Sequence, residues 1–105
     1  MTSTGFLFLD IQRVGIVSPS EILAKYDPGK RLLTLRVVYP VKGDHKCVIE
    51  ISPDPVTPTS WIRLAGNGVR RVLSGYAEGT WWIRAATSVA AGQSDWFGPV
   101  AIVVK

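Results

Sequence analysis

The chain offers one histidine and one cysteine for catalytic chemistry, and they lie two positions apart. His45 follows Asp44 in a polar segment, and Cys47 begins an alternating apolar run that continues to Ile51. Nucleophilic catalysis needs a nucleophile, a base that removes its proton and a group that orients the base. A histidine in a polar turn is typical of a surface residue, and a cysteine in an alternating run is typical of a small buried side chain. We therefore predict that the protein is not an enzyme.

Metal, phosphate and redox chemistry are not predicted either. The acidic residues considered as ligands are Asp44, Glu50, Asp54 and Asp95. They do not form the dense spacing of a calcium loop, and no glycine-rich phosphate loop precedes a helix pattern. A single cysteine excludes an intrachain disulfide and a thiolate metal site made by this chain alone. We expect neither a metal nor another cofactor.

Charge and hydropathy narrow the classes of partner. Twelve lysines and arginines against eight acidic residues give a net charge of +4, and the basic residues are spread along the chain in runs no longer than two. Such a distribution does not predict a nucleic-acid stripe. The apolar runs are much shorter than the roughly 20 residues that cross a bilayer, and the first residues lack the pattern of a signal peptide. We expect no nucleic-acid partner, no membrane insertion and synthesis in the cytosol.

Four aromatic residues are the strongest candidates for binding. They are Trp61, Trp82, Trp96 and Phe97, at positions that strand alternation or turns can expose. Indole rings stack on sugars or fill pockets of a protein partner, and tryptophan is enriched at binding hot spots. The alternative is that these rings only cover the fold, with Trp82 and Trp96 stacked on Arg84 as a ladder of aromatic and cationic groups.

The elements that carry these residues have the period of β-strands. Leu33, Leu35 and Val37 alternate with polar or smaller residues, and no window of a dozen residues keeps a helical spacing without a glycine or proline. The predicted strands cover residues 18 to 24, 31 to 39, 46 to 52, 60 to 65, 69 to 73, 81 to 87 and 100 to 104. Gly66 to Gly68 is interpreted as a hairpin turn between the fourth and fifth strands. Seven short strands predict an all-β, antiparallel β-sandwich.

The amino-terminal segment is set apart as an arm, residues 1 to 15, before a sandwich domain of residues 16 to 105. Residues 4 to 17 are strand-like and too apolar for a solvated tail. They either lengthen the first edge strand or pair with a neighbouring subunit, because an apolar edge segment is a template for strand addition. The side chains expected to bind a partner there are Phe6, Leu7, Phe8 and Leu9.

Residues 16 to 105 resemble a fibronectin type III domain. The resemblance rests on LTLRVVYP at residues 33 to 40, CVIEI at 47 to 51, LSGYAEG at 73 to 79, WWIRAAT at 81 to 87 and GQSDWFGP at 92 to 99. The chain departs from the family at Val37, where a core tryptophan is usual, and at Trp81, where a tyrosine closes the corner. The corner must then be held by packing or by the indole N–H.

The resemblance implies an immunoglobulin-like sandwich without catalysis. Similar domains occur in bacteriophage tail, fibre and capsid-decoration proteins, which are made in the cytosol and released by lysis. We therefore expect a structural and interaction module of a virion or other extracellular assembly, with protein partners or self-assembly. The alternatives are a glycan-binding accessory module that uses the exposed tryptophans and an adhesion or receptor module, because fold alone does not determine function.

Overall fold

The structure is a computed structural model that describes residues 16 to 105. Within these residues every regular element is a β-strand, and no helix is long and apolar enough to cross a membrane. The strands are β1 (Glu21–Asp27), β2 (Leu32–Val38), β3 (Cys47–Pro53), β4 (Ile62–Arg63), β5 (Arg70–Leu73), β6 (Gly79–Val89), β7 (Gly92–Gln93) and β8 (Phe97–Val104). The predicted all-β class is confirmed for this range. The predicted arm lies outside the described residues.

The strands form two antiparallel sheets. Sheet A has three strands in the order β1-β2-β5, and sheet B has five, in the order β4-β3-β6-β7 with β8 also paired to β6. Because β3 occupies one side of β6, β7 and β8 lie one after the other along its opposite side. β2 and β3 are adjacent in sequence but belong to different sheets, so they do not form a hairpin.

The core lies between the sheets, and strand alternation supplies it. On β2 the buried side chains are Leu33, Leu35 and Val37, while Thr34 and Arg36 point away from the core. Sheet B contributes the buried residues Cys47, Ile49, Ile51, Ile83 and Ala85 to the same cluster. Burying one large apolar side chain contributes about 1.5–3 kcal/mol, so these positions stabilise the pairing of the two sheets.

Eight strands are present among the described residues, so the predicted count of seven is not confirmed, and several predicted boundaries differ. β7 lies between the predicted strands 81 to 87 and 100 to 104, and β8 begins at Phe97, three residues before its predicted start. A β-bulge interrupts the pairing of β8 with β6 near its start: two residues separate Phe97 from Val100, opposite the single residue between Ile83 and Ala85. Gly98 permits the bulge because its φ is +104°, a conformation that other residues rarely adopt.

The predicted hairpin at Gly66 to Gly68 is also wrong. β4 pairs with β3 and β5 pairs with β2, so this segment connects the two sheets. Its carbonyl groups bond to neighbouring residues: Arg71 Nε donates to Gly68 O at 2.8 Å, and Arg71 Nη1 donates to Ala65 O at 2.6 Å. The backbone N–H of Cys47 donates to Asn67 O at 2.9 Å. The Arg71 side chain and the backbone of the distant Cys47 thus take the place of the local ladder that a hairpin would have formed.

The turn before β6 is held by an indole in two ways. Trp81 Nε1 donates to the carbonyl oxygen of Ala77 at 2.9 Å. The same ring packs edge-on against Tyr76, with centroids 5.0 Å apart and planes at 81°. Packing and the indole N–H therefore act together at the corner that the resemblance assigns to a tyrosine.

Candidate interaction surface

The outer face of sheet B is covered by a second layer of side chains. Ile49 and Ile51 point into the core, so the alternate residues Val48, Glu50 and Ser52 point outward, yet all three are buried. A buried carboxylate needs ionic or hydrogen-bonding partners, since its charge is costly to remove from water. The neighbours of Glu50 therefore determine what this face can do.

Glu50 lies at the centre of a row of charges across three strands. The strand register places Glu50 opposite Arg63 on β4 and opposite Arg84 on β6. Arg84 donates to Glu50 Oε1 from Nε at 3.0 Å and from Nη2 at 2.6 Å. Arg63 donates from Nε to Oε2 at 3.2 Å. Two guanidinium groups thus share one carboxylate, and this row carries a net positive charge.

Arg84 is also enclosed between two indole rings. Its guanidinium carbon lies 4.3 Å from the ring centroid of Trp61 and 4.2 Å from that of Trp96. Both distances lie within cation–π range. We call Trp61, Arg84, Trp96, Glu50 and Arg63 the indole–arginine layer.

The membership of this layer differs from the predicted ladder in one ring. Trp96 stacks on Arg84 as expected, but the second ring is Trp61 rather than Trp82. Trp82 instead donates its indole N–H to Asp54 Oδ1 at 3.0 Å. Trp82 is two residues from Arg84 on β6. Trp61 directly precedes β4, and β3 lies between β4 and β6 in the sheet.

The predicted binding residues fall into three groups. Trp61, Trp82 and Trp96 are half-buried, and the indole–arginine layer brings Trp61 and Trp96 together around Arg84. Phe97 is half-buried and packs against the core. The remaining four, Phe6, Leu7, Phe8 and Leu9, lie outside the described residues. Sequence reasoning missed the roles of Glu50 and Arg63, although a glutamate within the apolar run of residues 47 to 51 was the available signal.

The edge of sheet B formed by β8 carries no charged side chain from Phe97 to Val104. Edge strands of soluble proteins are usually protected by charges, prolines or bulges, and here Pro99 and the bulge protect only the beginning of the strand. By contrast, the edge strand β1 carries Glu21, Lys25 and Asp27. From Val100 to Val104 the edge strand β8 therefore has no charge, proline or bulge, and β1 of sheet A lies close beside it.

The first described residues lie beside the start of this edge. Val17 O accepts a hydrogen bond from Thr87 Oγ1 near the end of β6. The side chain of Ile16 lies against Gly92 of β7, 3.4 Å from where a Cβ on that glycine would stand. Ile16 and Val17 therefore lie at the β7 end of the β7–β8 edge.

The lone cysteine and histidine make structural contacts. Cys47 is buried and its Sγ lies 3.3 Å from Gly68 O. Burial raises the pKa of the Cys47 thiol, while the positive charge of Arg71 acts in the opposite direction. His45 stacks on Tyr39 with centroids 4.0 Å apart, and its Nε2 lies 2.8 Å from Val41 O. Among residues 16 to 105, no three His, Cys, Asp or Glu side chains are grouped so that they could hold a metal ion.

Comparison with known proteins adds no relative to these observations. The sequence matches no protein-family model and no curated protein.

Proposed function

We propose that this chain is a fibronectin type III-like sandwich that acts as a non-catalytic structural and interaction module, as a component of a phage virion such as a tail, fibre or capsid-decoration protein. The observation that carries the proposal is the uncharged edge of β8 beside the root of an apolar arm. Such an edge offers unpaired backbone groups to another strand. Strand addition is a recurring way in which sheet proteins bind partners.

The strand order supports the fibronectin-like part of the proposal. β7 and β8 follow one another along the same side of β6 and can be read as one interrupted strand. Sheet A then contributes three strands and sheet B four, the seven-strand arrangement of an immunoglobulin-like sandwich. The indole hydrogen bond from Trp81 to Ala77 takes the place of the tyrosine corner of that family.

The dimensions support pairing between the arm of one copy and β8 of a neighbour. A strand rises about 3.3 Å per residue, so the eight residues of β8 span about 26 Å. Residues 4 to 15 span about 40 Å when extended, enough to leave one sandwich and run along the β8 edge of another. The apolar side chains of residues 6 to 9 suit a strand edge that carries no charge.

The experiment measures the oligomeric state of the full chain by sedimentation. Val103 is half exposed on β8, and Val103→Lys places a charge beside the proposed seam. The double variant Phe6→Lys/Phe8→Lys does the same from the arm. Val41→Lys is the matched control, because Val41 has similar exposure but lies in the loop between β2 and β3. The proposal predicts that the first two variants dissociate the assembly and that the control does not.

Circular dichroism distinguishes a loss of assembly from a loss of folding, because folded variants must retain the β-sheet spectrum. Assembly that survives both charged variants, or a wild-type chain that is monomeric and has no partner, contradicts the proposal. Copurification of the chain with other virion proteins from infected cells tests its source assembly separately.

A glycan-binding module is the second candidate, favoured by three half-buried indoles on the outer side of sheet B. Sugars stack on free indole faces, but Trp61 and Trp96 each place one ring face against Arg84. Titration of tryptophan fluorescence with soluble polysaccharides tests this function. Trp82→Ala and Trp96→Ala abolish binding if sugars use these rings, whereas assembly through β8 remains.

A further inference from the structure

The outer face of sheet A carries a second surface, on the opposite sheet from the indole–arginine layer. The register places Arg36 between Leu23 on β1 and Arg70 on β5, and in the next row it places Thr34 between Lys25 and Val72. Lys25, Arg36 and Arg70 are all exposed. We call these six residues the basic face: Leu23, Lys25, Thr34, Arg36, Arg70 and Val72.

The cationic side chains of the basic face repel one another. Arg36 and Arg70 are direct cross-strand neighbours, and like charges in that position destabilise a sheet. Both ion pairs found among residues 16 to 105 use Glu50 on sheet B, so none neutralises a cation of the basic face. The acids on this side of β1, Glu21 and Asp27, lie at its two ends. Asp27 accepts hydrogen bonds from Gly29 N and Lys30 N.

A groove opens beside these cations. Its volume is about 410 Å³, and it lies between β1, the outer side of sheet A and the start of the apolar stretch of β8. Lys25, Arg36 and Arg70 all line it, and no carboxylate of residues 16 to 105 does. Apolar surface adjoins the charges, since Leu23 is 46% exposed and Val72 is 60% exposed. A fitting ligand therefore combines negative charges with apolar groups.

We propose that the basic face binds an acidic segment of a partner protein, with carboxylates on Arg36 and Arg70 and an apolar side chain in the groove beside Leu23. Carboxylates pair with guanidinium groups through charge-assisted, often bidentate hydrogen bonds. A nucleic acid fits less well, because its phosphate backbone requires a longer series of cations. The phosphates also make no favourable contact with the flanking apolar side chains. A site that binds acids also accounts for the unfavourable pairing of Arg36 with Arg70, since binding sites often reduce stability.

This inference goes beyond the proposed function, because it concerns a different sheet and an acidic partner. The predicted arm contains a single acidic residue, Asp10, and is not the proposed occupant. The oligomeric state and the peptide affinity therefore report on separate proposals. Loss of acidic-peptide binding without a change in self-assembly separates the basic face from the β8 edge.

The experiment uses the full chain and fluorescence anisotropy with three labelled probes of equal length. They are a peptide rich in glutamate and leucine, the same peptide with lysine in place of glutamate, and a single-stranded oligothymidylate. Arg70→Glu should weaken binding of the acidic peptide about tenfold or more, because one charge-assisted contact is lost and a repulsive one is gained. Lys42→Glu changes the net charge equally from an exposed loop position and should have little effect.

The cross-strand pairing of Arg36 with Arg70 also predicts that the variant Arg70→Glu folds. Arg70→Glu places a carboxylate opposite Arg36, so its urea midpoint should equal or exceed that of the wild type. The double variant Arg36→Glu/Arg70→Glu should bind the lysine-rich peptide instead of the acidic one. The proposal is overturned if Lys42→Glu weakens binding as much as Arg70→Glu, if the acidic peptide does not bind the wild type, or if oligothymidylate binds more tightly than the peptide.

Discussion

Replacing Arg84 by methionine tests how the indole–arginine layer stabilises the fold. Methionine keeps much of the side-chain length but removes both hydrogen bonds to Glu50 and the cation between Trp61 and Trp96. The Glu50 side chain is only 11% exposed, and it would retain Arg63 as its sole ionic partner. Arg63 is 61% exposed, so solvent weakens its compensation of the buried carboxylate.

The expected loss of unfolding free energy follows from the burial of Glu50 and Arg84. Removing one partner of a fully buried ion pair costs about 3–5 kcal/mol, and Arg84, with 27% of its side chain exposed, belongs somewhat below that range. Loss of the two cation–π contacts adds about 0.5–1 kcal/mol each. We expect Arg84→Met to lower the free energy of unfolding by about 3 kcal/mol. The matched change Arg63→Met should cost about 0.5 kcal/mol, because Arg63 is largely solvated.

Urea denaturation followed by circular dichroism measures both changes, and a double-mutant cycle with Glu50→Gln isolates the pair energies. The coupling between Glu50 and Arg84 should be about 2 kcal/mol and should exceed that between Glu50 and Arg63 severalfold. Thermal scans should show a loss of roughly 12–24 °C for Arg84→Met, because 1 kcal/mol shifts the Tm of a domain this size by about 4–8 °C. Equal costs for the two arginine variants, or a Glu50–Arg84 coupling near zero, would refute the reasoning.

Three further predictions concern the scaffold. Gly98→Ala should lower the free energy of unfolding in urea by about 3 kcal/mol, because the new Cβ would stand 2.8 Å from Ile83 O at a φ of +104°. Gly75→Ala is the control: Gly75 has a φ of +83° with no atom within 4 Å of the new Cβ, so this variant should cost only about 1 kcal/mol. Equal losses for the two variants would exclude the clash. Trp81→Phe should cost about 1 kcal/mol, since the carbonyl of Ala77 loses its donor, and an unchanged urea midpoint would argue against that hydrogen bond. Burial raises the pKa of the Cys47 thiol in the folded chain, so the unfolded chain deprotonates first and the stability should fall as the pH rises above about 8.5. In a series of urea midpoints measured at increasing pH, Cys47→Val should remove the decline that comes from this thiol. A decline that is unaltered in the variant would assign it to other groups.

Much of the fold could be predicted from side-chain alternation. The residues expected to share one face of the second strand, Leu33, Leu35 and Val37, are buried together in the core. Ile49 with Ile51 and Ile83 with Ala85 alternate along β3 and β6 in the same way, and they are buried as well. Period-2 alternation is a local property, because successive side chains of any strand point to opposite faces. It therefore predicts the all-β class and the core face without knowledge of the pairing.

Pairing and its consequences required the tertiary structure. Gly66 to Gly68 has the composition of a hairpin turn, but the strands on either side of it pair with β3 and with β2, in separate sheets. The outward face of Arg84 could be predicted, whereas its stacking on Trp61 and its bonds to Glu50 depend on the register of β4, β3 and β6.

The sequence by itself thus determined that the chain forms strands and which side chains turn inward. Only the tertiary structure decided which outward side chains meet: Arg63 with Glu50 and Arg84 on one sheet, and Arg36 with Arg70 on the other. The physical reason is that facing inward depends on the conformation of a few consecutive residues. Cross-strand neighbours depend instead on hydrogen bonding and packing between segments distant in the chain, and their energy is summed over the whole sheet.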